Sequence, residues 1–158
     1  MSDETFDGFW LDGCDWPEGG QWSHPHPLHV AAQENDIAAI QHLIAAGQPL
    51  NDFDILSKTP LHYAAEAGRL DVMRLLIEAG ADVNAHDAPR IGNTVLRAVA
   101  SNCSYEVARL LIEAGADPTI PGWMQVTALQ QARARKRPEG VRVAQLLEAA
   151  ARNPDRHR

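Results

Sequence analysis

The sequence predicts an all-α solenoid of about four stacked helix pairs, and two observations lead to that prediction. First, the chain repeats itself every 33 residues, so that HPLHVAAQENDIAAIQHLIAAG (26–47) aligns with TPLHYAAEAGRLDVMRLLIEAG (59–80). A third copy, TVLRAVASNCSYEVARLLIEAG (94–115), and a degraded fourth copy beginning at residue 127 follow. Second, apolar residues within each copy recur at helical spacing. Repeats of this length stack into one continuous core, for which about three copies suffice.

The best-preserved copy shows why each repeat should form two helices. Thr59 can cap a first helix with its hydroxyl, and Pro60 suits the first turn, where a missing N–H costs nothing. Gly68 suits the left-handed residue that ends this helix, with Asn35 as its counterpart in the first copy. The apolar face of the second helix consists of Leu70, Val72, Leu75 and Leu76. Gly80 is expected to end it.

TPLHYAA at 59–65, followed by LLIEAGADVNAHD at 75–87, closely resembles the consensus of the ankyrin-repeat family. The resemblance covers about 26–150 and implies β-hairpin fingers between successive helix pairs. It places the repeats near 26–58, 59–93, 94–126 and 127–150. Three positions depart from the family pattern: Arg97 and Gln130 replace the TPLH histidine, and Cys103 replaces a helix-ending glycine.

Charge is distributed unevenly along the chain, whose formal net charge is -7. Residues 1–57 hold ten acidic residues and no Lys or Arg, whereas 133–158 hold eight basic and three acidic residues. Such an acidic end repels nucleic acid and attracts basic partners. An acidic face that serves only solubility is the alternative interpretation.

Two terminal segments lie outside the repeats. Residues 1–25 match no copy but contain five of the nine aromatic residues, interleaved with Asp and Glu. Disordered tails are poor in aromatic residues, so we expect this segment to cap the first repeat. The alternatives are that it covers the binding groove or itself binds a partner. Residues 151–158 form a basic tail.

Motifs for other chemistry are weak. His24, His26 and His29 with Cys14 match no familiar zinc spacing, and EGGQW (18–22) lacks the lysine of a phosphate loop. RARKRP (133–138) resembles a nucleic-acid patch, but charge also keeps a terminal repeat soluble. We therefore expect no cofactor, no metal, no catalysis and no nucleic-acid partner.

The sequence also favours a cytoplasmic protein. The first ten residues carry three acids and no base, unlike a secretory signal, and no apolar run approaches the roughly 20 residues of a membrane span. The two cysteines form no disulfide framework.

The resemblance implies that a protein partner binds the fingers and the exposed face of each first helix. Aromatic, Met and Arg side chains, which are enriched at interface centres, occur at these positions. The candidates in the fingers are Phe53, Ile55, Leu56, His86, Arg90, Ile91, Trp123 and Met124. Those on the first helices are Tyr63, Glu66, Ser101 and Asn102. Alternatively, these residues pack on one another or on the N-terminal segment.

The resulting hypothesis is a non-enzymatic binding module, monomeric when free, that neutralises a basic protein as an inhibitor or immunity protein. The alternative is a regulatory adaptor that tethers two proteins. The resemblance, together with an excess of twelve Arg over two Lys, favours a small stand-alone protein of bacterial origin.

Overall fold

The computed structural model describes residues 26–90 and 92–153. The predicted N-terminal cap, Cys14 and His24, Ile91 and the end of the basic tail therefore lie outside the described residues. The helices in this part of the chain, in order, are α1 (Pro27–Glu34), α2 (Ile37–Ala45), α3 (Pro60–Glu66), α4 (Leu70–Glu78), α5 (Val95–Val99), α6 (Tyr105–Glu113), α7 (Ala128–Arg133) and α8 (Pro138–Arg152). A single 3-10 turn, Trp123–Gln125, precedes α7.

These helices form two layers. The first helices contact one another in series from α1 through α3 and α5 to α7, and the second helices do so from α2 through α4 and α6 to α8. Each helix therefore packs against its equivalent in the next pair, which is how a solenoid builds a continuous core from short elements. The predicted all-α solenoid is confirmed, while the assignment of one repeat to each pair stays a prediction.

Leucines fill much of the core between the layers, and Leu28 of the first pair is buried among them. Leu61, Leu76, Leu96, Leu111 and Leu147 are fully buried. Small residues let the helices approach closely, as at Ala32 and Ala64, which are also fully buried. Burial of this kind is the main stabilising contribution to the fold.

The first two short helices end as the sequence predicts. Asn35 and Gly68 adopt left-handed backbone conformations, with φ of 66° and 68°. Glycine and asparagine tolerate this conformation better than other residues, so the chain can reverse there and start the second helix. The third pair lacks such a residue, and Cys103 at this position is buried.

The fingers differ from the predicted β-hairpins, because the described residues contain no β-strand. In the first finger (51–58), a hydrogen bond of 3.0 Å joins Asp54 N–H to the Lys58 carbonyl, and the residues between them form the turn. In the third finger (119–126) an isolated bridge joins Pro121 and Thr127. So few backbone pairs cannot extend into strands, and side chains complete the fingers instead.

Candidate protein-binding groove

A ladder of side-chain hydrogen bonds fixes each finger to the preceding first helix. His29 Nε2 donates to the Lys58 carbonyl oxygen over 3.0 Å, and His62 Nε2 donates to that of Asn93 over the same distance. A carbonyl oxygen can only accept, so both imidazoles carry their proton on Nε2. His62 Nδ1 then accepts a bond of 3.1 Å from the Thr59 N–H.

Burial affects the charge of these two imidazoles. Desolvation lowers the pKa of His29 and of His62 below the ordinary value, because the interior disfavours a charged ring. Both rings are therefore neutral at pH 7 and act as structural donors. His29 and His62 thus both have a structural role in the ladder.

Arg97 continues the same ladder in the third pair. Its Nε donates to the Val126 carbonyl oxygen over 3.3 Å, at the position where the two preceding pairs use histidine. Gly122 makes the close approach possible, since a Cβ atom there would lie 2.5 Å from Asn93 Oδ1 and 3.0 Å from Arg97 Cδ. The substitution of histidine by arginine thus keeps the link between helix and finger.

Asp54 holds the first finger in shape. Its Oδ1 accepts from the backbone N–H groups of Leu56 and Lys58 at 2.8 and 2.9 Å, and its Oδ2 accepts from the Tyr63 hydroxyl at 2.6 Å. Partial burial acts to raise the pKa of this carboxyl group, but the hydrogen bonds outweigh it and lower the pKa overall. Tyr63, predicted as a partner contact, thus also serves as a structural anchor for the finger.

Charged side chains extend this network along α3. Lys58 Nζ lies 2.7 Å from Glu66 Oε2 and 5.2 Å from the centre of the Tyr63 ring. The ring of Tyr63 in turn meets the edge of His29, with their centres 5.8 Å apart. These contacts join the first finger, α1 and α3 into one connected wall.

Neighbouring fingers are also joined directly. Ser57 Oγ donates to Asp87 Oδ2 over 2.8 Å. At the base of the fingers, Asn51 Oδ1 accepts a hydrogen bond from the Asp82 N–H over 2.8 Å. Asn84 Oδ1 accepts the equivalent bond from the Asp117 N–H, also over 2.8 Å. Sequence reasoning did not single out these two asparagines, although their spacing of 33 residues was a readable signal.

A pocket of about 350 Å³ opens between the first finger and helices α3 and α5. We call it the central pocket, and it is lined by Leu56, Ser57, Lys58, His62, Glu66, Asn93, Arg97 and Ala98. Most of these lining residues are polar, and only Leu56 and Glu66 were predicted as partner contacts. Sequence reasoning missed Lys58, and it noted Arg97 only as a departure from the repeat pattern.

Apolar side chains stand exposed at two finger tips. Ile55 and Leu56 on the first finger are 79% and 53% exposed, and Trp123 and Met124 on the third are 58% and 71% exposed. Phe53, by contrast, is half-buried. These four side chains remain open to solvent, whereas packing of the tips on one another would have buried them.

The other predicted contacts are also accessible. His86, Arg90, Ser101 and Asn102 are exposed. Arg90 lies 3.7 Å from the carboxylate of Asp87. Their role in binding stays a prediction.

Within 26–90 and 92–153, no group of three or more His, Cys, Asp or Glu side chains is placed to hold a metal ion. In the same ranges, no helix has the length and apolar character needed to cross a bilayer.

The chain matches a family model described as "Ankyrin repeats (3 copies)" over residues 12–87 and 28–122. It is 42% identical over 65 residues to a putative ankyrin repeat protein of fowlpox virus, which covers 40% of this chain. It is 39% identical over 79 residues to Inversin of Mus musculus and 44% identical over 59 residues to a serine/threonine-protein kinase of Arabidopsis thaliana, covering 49% and 35% of this chain.

The aligned regions make up 16%, 7% and 13% of these three relatives, so the chain spans only a small part of their length. The relatives come from a virus, an animal and a plant. They lend no support to the expected bacterial origin.

Proposed function

The chain belongs to the ankyrin-repeat family, and on this premise we propose that it binds a single protein along its finger tips and central pocket and inhibits that protein. Ankyrin repeats are protein–protein interaction modules, and nothing in the family match points to catalysis. The identity of the surface, the charge of the partner and the inhibitory role are the proposed parts.

The observation that carries the proposal is the pair of exposed apolar finger tips beside a polar pocket. Leaving a large apolar side chain in water forgoes about 1.5–3 kcal/mol of burial, so several of them near one groove favour a surface that a partner covers. Trp and Met are also types enriched at the centres of interfaces. The tips of the first and third fingers, whose most exposed residues are Ile55 and Met124, would contact the partner together.

Charge supports a basic partner. In the described part of the first two pairs, acidic side chains such as Glu34 and Asp52 are exposed, and the sequence before Lys58 contains no Lys or Arg. An acidic surface accelerates association with a basic protein and makes the rate depend on salt. An inhibitor that must find its target in the cytoplasm as a free monomer would benefit from this steering.

The proposal is tested by affinity capture with matched variants. A tip variant carries Ile55, Leu56 and Trp123 each changed to Glu, and a control carries Ile37→Glu and Val141→Glu, two exposed apolar residues on second helices. We expect wild type and control to retain one partner and the tip variant to bind it at least about tenfold more weakly. Equal retention by all three proteins would contradict the proposed surface.

An adaptor is the second candidate function, favoured by the basic last pair, where Lys136 and Arg137 are exposed. The two functions differ in what is captured. An inhibitor retains one partner and abolishes its activity, whereas an adaptor retains two proteins at once, one of which is lost when Lys136 and Arg137 are changed to Ser.

A further inference from the structure

We propose that the central pocket binds the carboxylate of an aspartate or glutamate side chain that the partner protein inserts between the first finger and α5. This inference rests on the proposed function and specifies one chemical feature of the partner. It assigns Arg97 as the residue that selects this feature, with Lys58 as the second cation that lines the pocket.

The side chains that line the central pocket carry an excess of positive charge. Lys58 and Arg97 are the two cations of the pocket, and Glu66 is its one acid. Because His62 is neutral as a buried donor, the pocket has a net charge of one positive unit. A single negative charge is therefore its electrostatic complement.

Both cations have N–H donors that can still form hydrogen bonds. Arg97 uses Nε for the Val126 carbonyl, and in the part of the chain that the structure describes it makes no salt bridge. The guanidinium has five N–H donors, so its two terminal nitrogens can still donate. Lys58 directs one of its three donors to Glu66 Oε2 at 2.7 Å and can donate to a second carboxylate as well.

The pocket suits a carboxylate better than it suits a more highly charged anion. Glu66 already lies in the pocket, so a doubly charged phosphate group would meet its repulsion, while a carboxylate leaves the site close to neutral. Leu56 adds an apolar surface at the rim for the methylene groups that precede the carboxylate. Arg97 is half-buried, so an ion pair here is screened less than one on the open surface.

Arg97 also offers a clean variant. Histidine occupies the equivalent position in the two preceding pairs and donates there to the following finger. Arg97→His should therefore keep the ladder while removing the guanidinium from the pocket. Arg97→Gln is a second neutral variant, and circular dichroism checks the fold of both.

The test is selection of a displayed random peptide library on the full chain, carried out in parallel on wild type, Arg97→His and the finger-tip variant. We expect peptides selected on wild type to share one Asp or Glu at a fixed position, and those selected on Arg97→His to lack it. The best acidic peptide is then compared with its amide form, Glu→Gln or Asp→Asn, and with a phosphoserine form at the same position. On wild type both changes should weaken binding about tenfold, and on Arg97→His the amide change should have little effect.

Several results would overturn the assignment. Peptides that need the finger tips but show no acidic preference, or that keep it on Arg97→His and Arg97→Gln, would remove the carboxylate pocket and leave the proposed binding surface intact. Tighter binding of the phosphoserine peptide would make this a phosphate site instead. Failure to select any peptide that depends on the finger tips would overturn both the pocket and the proposed surface.

Discussion

Replacing Arg97 with alanine is expected to lower the free energy of unfolding by about 1–2 kcal/mol, whereas replacing it with histidine should change it by less than about 0.5 kcal/mol. Alanine removes the hydrogen bond from Nε to the Val126 carbonyl and the contact of the side-chain stem with the third finger. Hydrogen bonds to charged groups contribute about 1.5–3 kcal/mol when buried. Here the residue is only half-buried, and Val126 still accepts from the Gly122 N–H, so we expect a loss of unfolding free energy at or just below the lower end of that range.

Histidine should restore what alanine removes. The two preceding pairs show that a ring on this helical turn reaches the next finger, with His62 Nε2 at 3.0 Å from the Asn93 carbonyl. Thr94 lies three residues before Arg97, as Thr59 does before His62, so it can donate to Nδ1 of the new ring in the same way.

Urea unfolding followed by far-ultraviolet circular dichroism measures both variants, with the slope of free energy against urea compared with that of wild type. If histidine destabilises the protein as much as alanine does, the equivalence of the three ladder positions is wrong. An alanine variant as stable as wild type would show that the bond to Val126 contributes nothing.

Three further predictions follow from burial, protonation and backbone conformation. Leu76→Ala should cost about 2–5 kcal/mol of unfolding free energy because Leu76 is fully buried, while Leu56→Ala at an exposed tip should cost less than about 0.5 kcal/mol; equal losses in urea unfolding would contradict this. Nuclear magnetic resonance should give His62 a pKa below 6.5 in the folded protein. The unfolded chain then binds a proton more readily than the folded chain, so the free energy of unfolding should fall as pH drops below 6.5. A measured pKa above 6.5 would predict the opposite pH dependence of stability. Met124→Gly should raise the unfolding free energy by about 0.5–1 kcal/mol, because Met124 has a φ of 61° that glycine adopts without strain. An unchanged midpoint of urea unfolding would show that the backbone at Met124 is not strained.

The helices were predictable because each is determined by short-range signals. The 33-residue period, Thr59 with Pro60 at a helix start and Gly68 at its end are local features, and the structure places a helix pair where they occur. The binding surface was only partly predictable. Exposure of Ile55 follows from its place at a turn, but the partial burial of Phe53 two residues earlier depends on how the finger packs, which no local pattern encodes.

The central pocket could not be derived from the sequence for a similar reason. Lys58 lies in the first finger and Arg97 in α5, 39 residues further along the chain, so their proximity arises only when α5 stacks on α3. A period of 33 residues aligns equivalent positions, whereas the pocket joins positions that are not equivalent. Patterns within single repeats therefore indicate the core better than they indicate the surface between repeats.

Arg97 shows how a repeat protein can acquire specificity without losing stability. The ladder needs only a donor at this position, and histidine and arginine both supply one. In the second pair, Nδ1 of the buried, neutral His62 accepts from Thr59, so this ring has no hydrogen-bonding atom left for a ligand in the pocket. Arginine makes the same bond through Nε and adds a charged group with unused donors. A single substitution at a structural position can thus change which partner fits, because the ladder and the pocket use different atoms of one side chain.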